Sequence, residues 1–254
     1  MAVGGCGGSF EPSTFAASRC SSRWSGTSAV KIDGDGCDSR HPPTGTRKPP
    51  APSELSAEKA VLNWFGQFEN PNGAIAAIGE IRGRLAYTNS PSTVEQALCD
   101  LAALIGAKGS RPENEISEGP DGLWLWPKEG FVIEAKSDRD HSLHKKDGGQ
   151  LLQSLQWFSR SYPAMEAPSA VVAAKVDVAD RLSDFPDGTR VLTWEKAEAL
   201  LQTLEAFYKK VIDEPLFASQ PESIRDLLQN SHLRSEAIVS KFTVPLREKK
   251  KGGK

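Results

Sequence analysis

Three side chains within one short stretch have the types and spacing for metal-assisted hydrolysis. The stretch is Gly119–Lys136, GPDGLWLWPKEGFVIEAK. Asp121 stands just before an apolar run, Leu123 to Trp126. Pro127-Lys128-Glu129-Gly130 follows with turn chemistry, and a second run, Phe131 to Ile133, leads into Glu134-Ala135-Lys136. Two aromatic and β-branched runs around a short Pro/Gly turn read as a β-hairpin. Side chains alternate faces along a strand, so Glu134 and Lys136 share one face while Ala135 points the other way, into packing. Pairing that brings Asp121 beside Glu134 would gather two carboxylates and one ammonium at one place. Hard oxygen ligands of this kind suit Mg²⁺ or Mn²⁺ and leave positions for water and a phosphate. Such an ion acidifies bound water and polarises a phosphoryl oxygen. An adjacent ammonium orients the water or offsets charge in the transition state. The competing reading is a surface hairpin with a solvated Glu-Lys pair, because an E-x-K triplet is common by itself.

The surrounding pattern favours the chemistry, and it resembles a known signature. Pro120-Asp121 followed by Glu134-Ala135-Lys136 is similar to the motif of the PD-(D/E)XK nuclease superfamily, which has the restriction-endonuclease-like fold. The resemblance covers roughly Pro91 to Val211. It implies an α/β domain with an α-β-β-β-α-β core and a mixed central sheet, cutting DNA with a bound divalent metal. It implies Asp121 and Glu134 as ligands of Mg²⁺ (or Mn²⁺), the Ala135 carbonyl as a third ligand, and Lys136 as the group that orients water. An acidic residue on the first core helix, here Glu95, would act through water. A glutamine on the helix after the hairpin, Gln150 or Gln153, would lie near the site.

The elements that must hold these residues can be read in order. Residues 1–52 are rich in Gly, Ser, Pro and Thr without apolar periodicity, which predicts a disordered tail. Its start (Ser18, Arg19, Ser21, Ser22, Arg23) weakly resembles an organelle transit peptide, the alternatives being a plain tail or an upstream translation artefact. Residues 53–90 read as a helical addition: one helix over Glu54 to Glu69 and a second over Ala74 to Arg82. Residues 91–212 read as the nuclease-like core. A helix opens at Ser90-Pro91-Ser92, and Ser92-Thr93-Val94-Glu95 fits a capping box. Glu95 therefore has two readings, a cap residue or an acid facing the metal. A first strand is predicted within Lys108 to Gly119, around Glu113 to Ser117, with Glu113 and Glu115 as spare carboxylates on one face of it and Arg111 as a candidate phosphate contact. After the hairpin, a polar loop carries Arg139, Lys145 and Lys146 as a candidate phosphate-binding patch. His141 and His144 are too few for a zinc site. A helix follows from Gly148-Gly149 to Arg160, with Gln150, Ser154 and Trp157 on a shared face. Then come an apolar strand at Ser169 to Val176 and a short one at Arg190 to Leu192. Thr193 caps a helix to Ile212. Residues 213–254 read as short helices ending in a basic tail.

Bulk properties narrow the partners. With 254 residues and a net charge of −2, the chain has no global basic field, so affinity for nucleic acid must come from a local patch. The four cysteines form no CxxC pair and suggest free thiols in a reducing compartment. No apolar run reaches membrane-spanning length. An intracellular, cytoplasmic protein is expected, nucleoid-associated if the cell is prokaryotic. DNA is the expected partner, with a homodimer as the simplest way to cut both strands. The alternative is a non-cutting module on DNA or protein, an appendage of a helicase or other DNA-processing machine; no P-loop motif is present, so any motor lies on another chain. A third class, a structural scaffold, requires Asp121 and Glu134 to lie too far apart to share an ion.

Overall fold

A computed structural model describes residues 48–180, 185–214 and 220–249. The predicted tail lies almost wholly outside them, as do Cys6, Cys20, Cys37 and the lysines after Lys249. Helices α1 (Ala57–Phe65) and α2 (Asn72–Leu85) form where apolar side chains recur at helical spacing. α1 is shorter than predicted, because Ser56 is extended and the helix stops at Gly66. α2 runs on to Leu85, which is fully buried. Helix α3 (Pro91–Leu104) opens within the predicted Ser90-Pro91-Ser92 start. Ser90 is its N-cap, accepting the Thr93 N–H at 3.3 Å, and Pro91 supplies a preset first-turn backbone. The Ser92–Glu95 capping box therefore does not form, and the Glu95 carboxylate turns elsewhere.

The first strand is also displaced. β1 is Lys108–Ser110, and Glu113 to Ser117 is not a strand: Pro112–Ile116 forms the short helix α4. Pro112 suits a helix start but has no N–H to give a ladder, and Ser117 ends the turn in the left-handed region, at φ 63°. β1 instead passes close to α3 at Gly109, where an added Cβ would meet the Cys99 carbonyl oxygen at 2.0 Å. Gly109→Ala should therefore cost about 2 kcal/mol of stability through a forced backbone shift, read as a lower urea midpoint.

The hairpin forms as predicted. β2 (Gly122–Leu125) and β3 (Gly130–Lys136) pair antiparallel, and the Trp126 N–H closes the turn on the Glu129 carbonyl at 2.9 Å. Helix α5 (Lys145–Ser161) crosses to β4 (Ser169–Ala174), which runs parallel to β3. After β5 (Val178–Ala179), β6 (Arg190–Leu192) joins β4 in parallel. Thr193 caps α6 (Trp194–Asp213), as predicted, accepting the Lys196 N–H at 3.4 Å. Then come α7 (Pro221–Asn230), α8 (Ser235–Phe242), β7 (Val244–Pro245) and β8 (Arg247–Glu248). The main sheet has the order β1-β2-β3-β4-β6-β7, mixed in direction, and β5 and β8 form a small second sheet.

Both faces of the main sheet are covered. On one, Trp124, Phe131, Ile133, Val171 and Ala173 join a cluster with Leu98, Leu101 and Leu204 of α3 and α6, which also takes in Val61, Ile78 and Leu85 of α1 and α2. On the other, Leu123, Val132, Val172 and Ala174 meet Leu151 and Phe158 of α5. This double covering is why β4 reads as an unbroken apolar run. The architecture is mixed α/β with a mixed central sheet. Among the described residues no helix is long and apolar enough to cross a membrane.

Candidate active site

The ladder register places the key acids. Gly122 faces Ile133, so Asp121 comes beside Glu134. Asp121 Oδ2 accepts the Ala135 N–H at 2.9 Å, which pins the carboxylate to β3. Lys136 Nζ donates to Asp121 Oδ2 at 3.2 Å and to Glu134 Oε2 at 3.0 Å. One ammonium thus touches both carboxylates, and the scaffold reading fails on the distance it requires. Glu134 and Lys136 lie on the α5 face of β3, where Ser154 Oγ donates to Glu134 Oε1 at 2.7 Å. Ala135 packs into the opposite cluster, as alternation predicts. The side chains of Asp121, Glu134 and Lys136 are 13, 5 and 10% exposed.

The approach to this group depends on Gly119. Its φ is +96°, and an added Cβ would meet the Trp157 ring at 2.9 Å and Pro112 Cβ at 3.0 Å. Only a glycine lets the chain pass between α4 and α5 and deliver Asp121 to the sheet edge.

Burial and crowding set the charges. Burial and the nearby Asp121 push the Glu134 carboxyl up to about 7, against the opposing pull of Lys136 and Ser154. Burial would raise Asp121 as well, but the Lys136 ammonium and hydrogen bonds from Glu113, Ala135 and Lys136 hold it below the usual carboxylate range. Burial disfavours the Lys136 ammonium, yet Glu134 and Asp121 more than offset this and raise it. Glu113 reaches the site from α4. Its hydrogen bond to Asp121, together with burial, raises its carboxyl.

The remaining residues singled out from sequence are placed as follows. Glu95 pairs with Arg111 through Oε2 and Nη2. The Arg111 guanidinium also lies 3.4 Å from Gln96 and from Ser92, and its Nε is buried without a partner among the described residues. Arg139 forms two bonds to Asp147, Nε–Oδ2 at 3.1 Å and Nη2–Oδ1 at 3.0 Å, and a third to Asp138 at 2.8 Å. The charges of Arg111 and Arg139 are therefore already met by carboxylates. Lys145 and Lys146 are not in a loop: α5 begins three residues before Gly148, and both stand on its first turn. His144 caps that turn and its ring Nδ1 lies 3.0 Å from Asp180 Oδ2. Gln150 lies on the α5 face toward the site.

Asp147 explains why α5 starts where it does. Its carboxylate accepts the His144 N–H at 2.8 Å and holds Arg139, and the side chain is 1% exposed. Burial would raise its carboxyl, but Arg139 and the His144 N–H bring it below its ordinary value of 3.8. A depressed folded-state value means the stabilisation is complete above about pH 4 and is lost as pH falls through the lowered value. Asp147→Ala should cost about 2–3 kcal/mol at pH 7. The wild-type margin over Asp147→Ala, read by chemical denaturation, should shrink as pH falls below 3.8.

Two clefts meet at the acids. One, of about 530 Å³, is bounded by Asp121, Ala135, Lys136, Glu95, Arg111 and Lys146. The other, of about 350 Å³, is bounded by Glu134, Gln153, Ser154, Trp157 and Arg160. Glu113 and Gln150 line both. Ser154 is the site residue to which sequence assigns no role. It stands four residues after Gln150 on the same helix face, and that spacing is the signal that points to it. Glu113, a spare carboxylate by its position in sequence, is brought to Asp121 by the turn of α4.

Among the described residues no group of three or more His, Cys, Asp or Glu side chains forms a metal cage. A resident Mg²⁺ or Mn²⁺ would instead draw on two carboxylates, a main-chain carbonyl, water and substrate, as hard cations of that size do. The residues present fit this. Asp121 and Glu134 offer oxygen donors only, and the Lys136 ammonium between them marks a place where positive charge is favoured. The chain matches no family model, and no curated protein matches it.

Proposed function

We propose that this protein is a divalent-metal-dependent nuclease that hydrolyses phosphodiester bonds of DNA, with a restriction-endonuclease-like core. The observation that carries the reading is the contact of one buried lysine, Lys136, with both Asp121 and Glu134 at the carboxyl end of β3. The element order α3-β1-β2-β3-α5-β4, interrupted by the short α4, supports the core assignment. Asp121, Glu134 and the Ala135 carbonyl would hold the ion. When bound, Mg²⁺ supplies Lewis acidity toward a phosphoryl oxygen and a more acidic water.

The chain's own groups do the rest. Lys136 Nζ donates to both carboxylates and is placed to donate to water or to a phosphate oxygen in the larger cleft, offsetting charge in an in-line displacement. Ser154 fixes the Glu134 carboxylate by its hydroxyl. The Ala135 N–H fixes Asp121. Glu95, tied to Arg111, is held at the cleft wall, where it acts through water. The test is purified protein with Mg²⁺ or Mn²⁺ on linear, circular and single-stranded DNA, beside Asp121→Ala protein.

A second reading has its own support. Lys136 already pairs with both carboxylates, as in a structural ion-pair site. The protein would then be a non-cutting module that grips DNA or a protein, serving a helicase or another DNA-processing machine. Metal-independent DNA binding with no cleavage under any of these conditions favours it.

A further inference from the structure

The α5 residues that line the two clefts share one face. Lys146, Gln150, Gln153, Trp157 and Arg160 follow at intervals of four, three, four and three, the repeat of a single helix stripe. Fourteen residues separate the first from the last, about 21 Å along the axis at ~1.5 Å per residue. The acids and Lys136 lie against the middle of this stripe, where Gln150 borders both clefts and Ser154 touches Glu134. Each end of the stripe carries an exposed cation, Lys146 and Arg160. Neither makes a hydrogen bond or ion pair with the described residues, in contrast to Arg111 and Arg139.

We infer that this face of α5 is a track for one polynucleotide strand, with Arg160 binding a backbone phosphate on one side of the scissile bond and Lys146 binding one on the other. The inference rests on the nuclease reading and extends it to the substrate. A guanidinium is suited to phosphate because its donors match two oxygens at once. Gln150 and Gln153 add neutral donors between the cations, which position a strand without reading its sequence. The opposite wall of the smaller cleft carries Glu113 and Glu118, so the strand must keep to the α5 side. Strand recognition thus keeps the expected Lys146, passes over Arg111 and Arg139, and adds Arg160 at the opposite end of the helix stripe.

The test is the binding of fluorescein-labelled single-stranded oligothymidylate to the full chain in Ca²⁺, across a KCl series, by anisotropy. Arg160→Ala should weaken binding five- to tenfold and flatten the slope of log K against log [salt] by about 0.7, the loss of one phosphate contact. Arg160→Lys should restore the slope and part of the affinity. Melting temperature should hold in both variants, because the Arg160 side chain makes no hydrogen bond or ion pair among the described residues. On oligonucleotides long enough to span both cations the Arg160→Ala and Lys146→Ala effects on log K should add; on ones too short to reach both, either single variant should change affinity less than about twofold, because the strand can still engage the other cation. An unchanged slope in Arg160→Ala, or single-variant effects that do not depend on oligonucleotide length, overturns the track. A separate Mg²⁺ cleavage assay keeps the two ideas apart. Asp121-dependent cutting with a silent Arg160→Ala removes the track alone, and Arg160-dependent binding without cutting removes the hydrolase alone.

Discussion

Asp121→Ala protein should lose Mg²⁺-dependent DNA cleavage by about a thousandfold or more while remaining folded. Asp121 is pinned from two sides, by the Ala135 N–H and by Lys136. It is also held ionised, below the usual carboxylate range, so it is ready to meet a cation at any physiological pH. Removing it takes away an oxygen donor and lets Lys136 swing wholly to Glu134. Losses of about 10²–10³ follow removal of single preorganised groups from such sites, and here the cation's seat goes too. Stability should move far less than activity, because a buried carboxylate bonded to Glu113 and repelled by the nearby Glu134 is itself costly. Equal rates for wild type and Asp121→Ala, at matched circular dichroism, would remove this residue from the chemistry.

Lys136→Met should show the second large effect, and it has two readouts. Cleavage should fall by about 10²–10³ with little change in DNA affinity, since the ammonium acts on the reacting groups rather than along the strand. Stability should fall by about 2–3 kcal/mol in chelator, because Asp121 and Glu134 are left facing one another in a buried site without their shared cation. Millimolar Mg²⁺ should then raise the melting temperature of Lys136→Met by more than it raises that of wild type. A cation would take the place that the ammonium holds, and whatever binds only the folded state stabilises it by mass action. If Mg²⁺ shifts neither protein, the two carboxylates are a structural ion-pair site and the binding-module reading stands.

The hairpin is legible in the sequence because each of its signals is local. Two β-branched and aromatic runs, a Pro/Gly turn and strict alternation fix which residues share a face, so the order of residues alone puts Glu134 and Lys136 on one side and Ala135 on the other. β4 and β6 are legible for a similar reason: a short apolar run bounded by turns leaves a buried strand as the simplest solution. The stretch between α3 and β2 misleads because its signals conflict. Glu113 to Ser117 has no alternation of its own, and Pro112 is compatible with a loop, a strand edge or a helix start. The sheet decides it, since β1 needs a residue without a side chain where α3 comes close, and Gly109 offers that. Glu95 is ambiguous for the same kind of reason. A carboxylate three residues after a serine can always be read as a cap, until another serine takes that role.

The amino-acid order by itself determined the strand faces, the helix stripes and the set of ionisable groups near the hairpin, because periodicity and turn chemistry act over a few residues. Only the tertiary structure decided which of those groups meet. Charges and polar groups distant along the chain pair according to where helices pack: Arg111 with Glu95, Arg139 with Asp147, Ser154 with Glu134. Those pairings engage the arginines that sequence offered for phosphate and, among the described residues, leave the Lys146 and Arg160 side chains without a partner at the ends of the α5 stripe. The physical reason is that a buried charge must find its counter-charge through three-dimensional packing, which no spacing along the chain encodes.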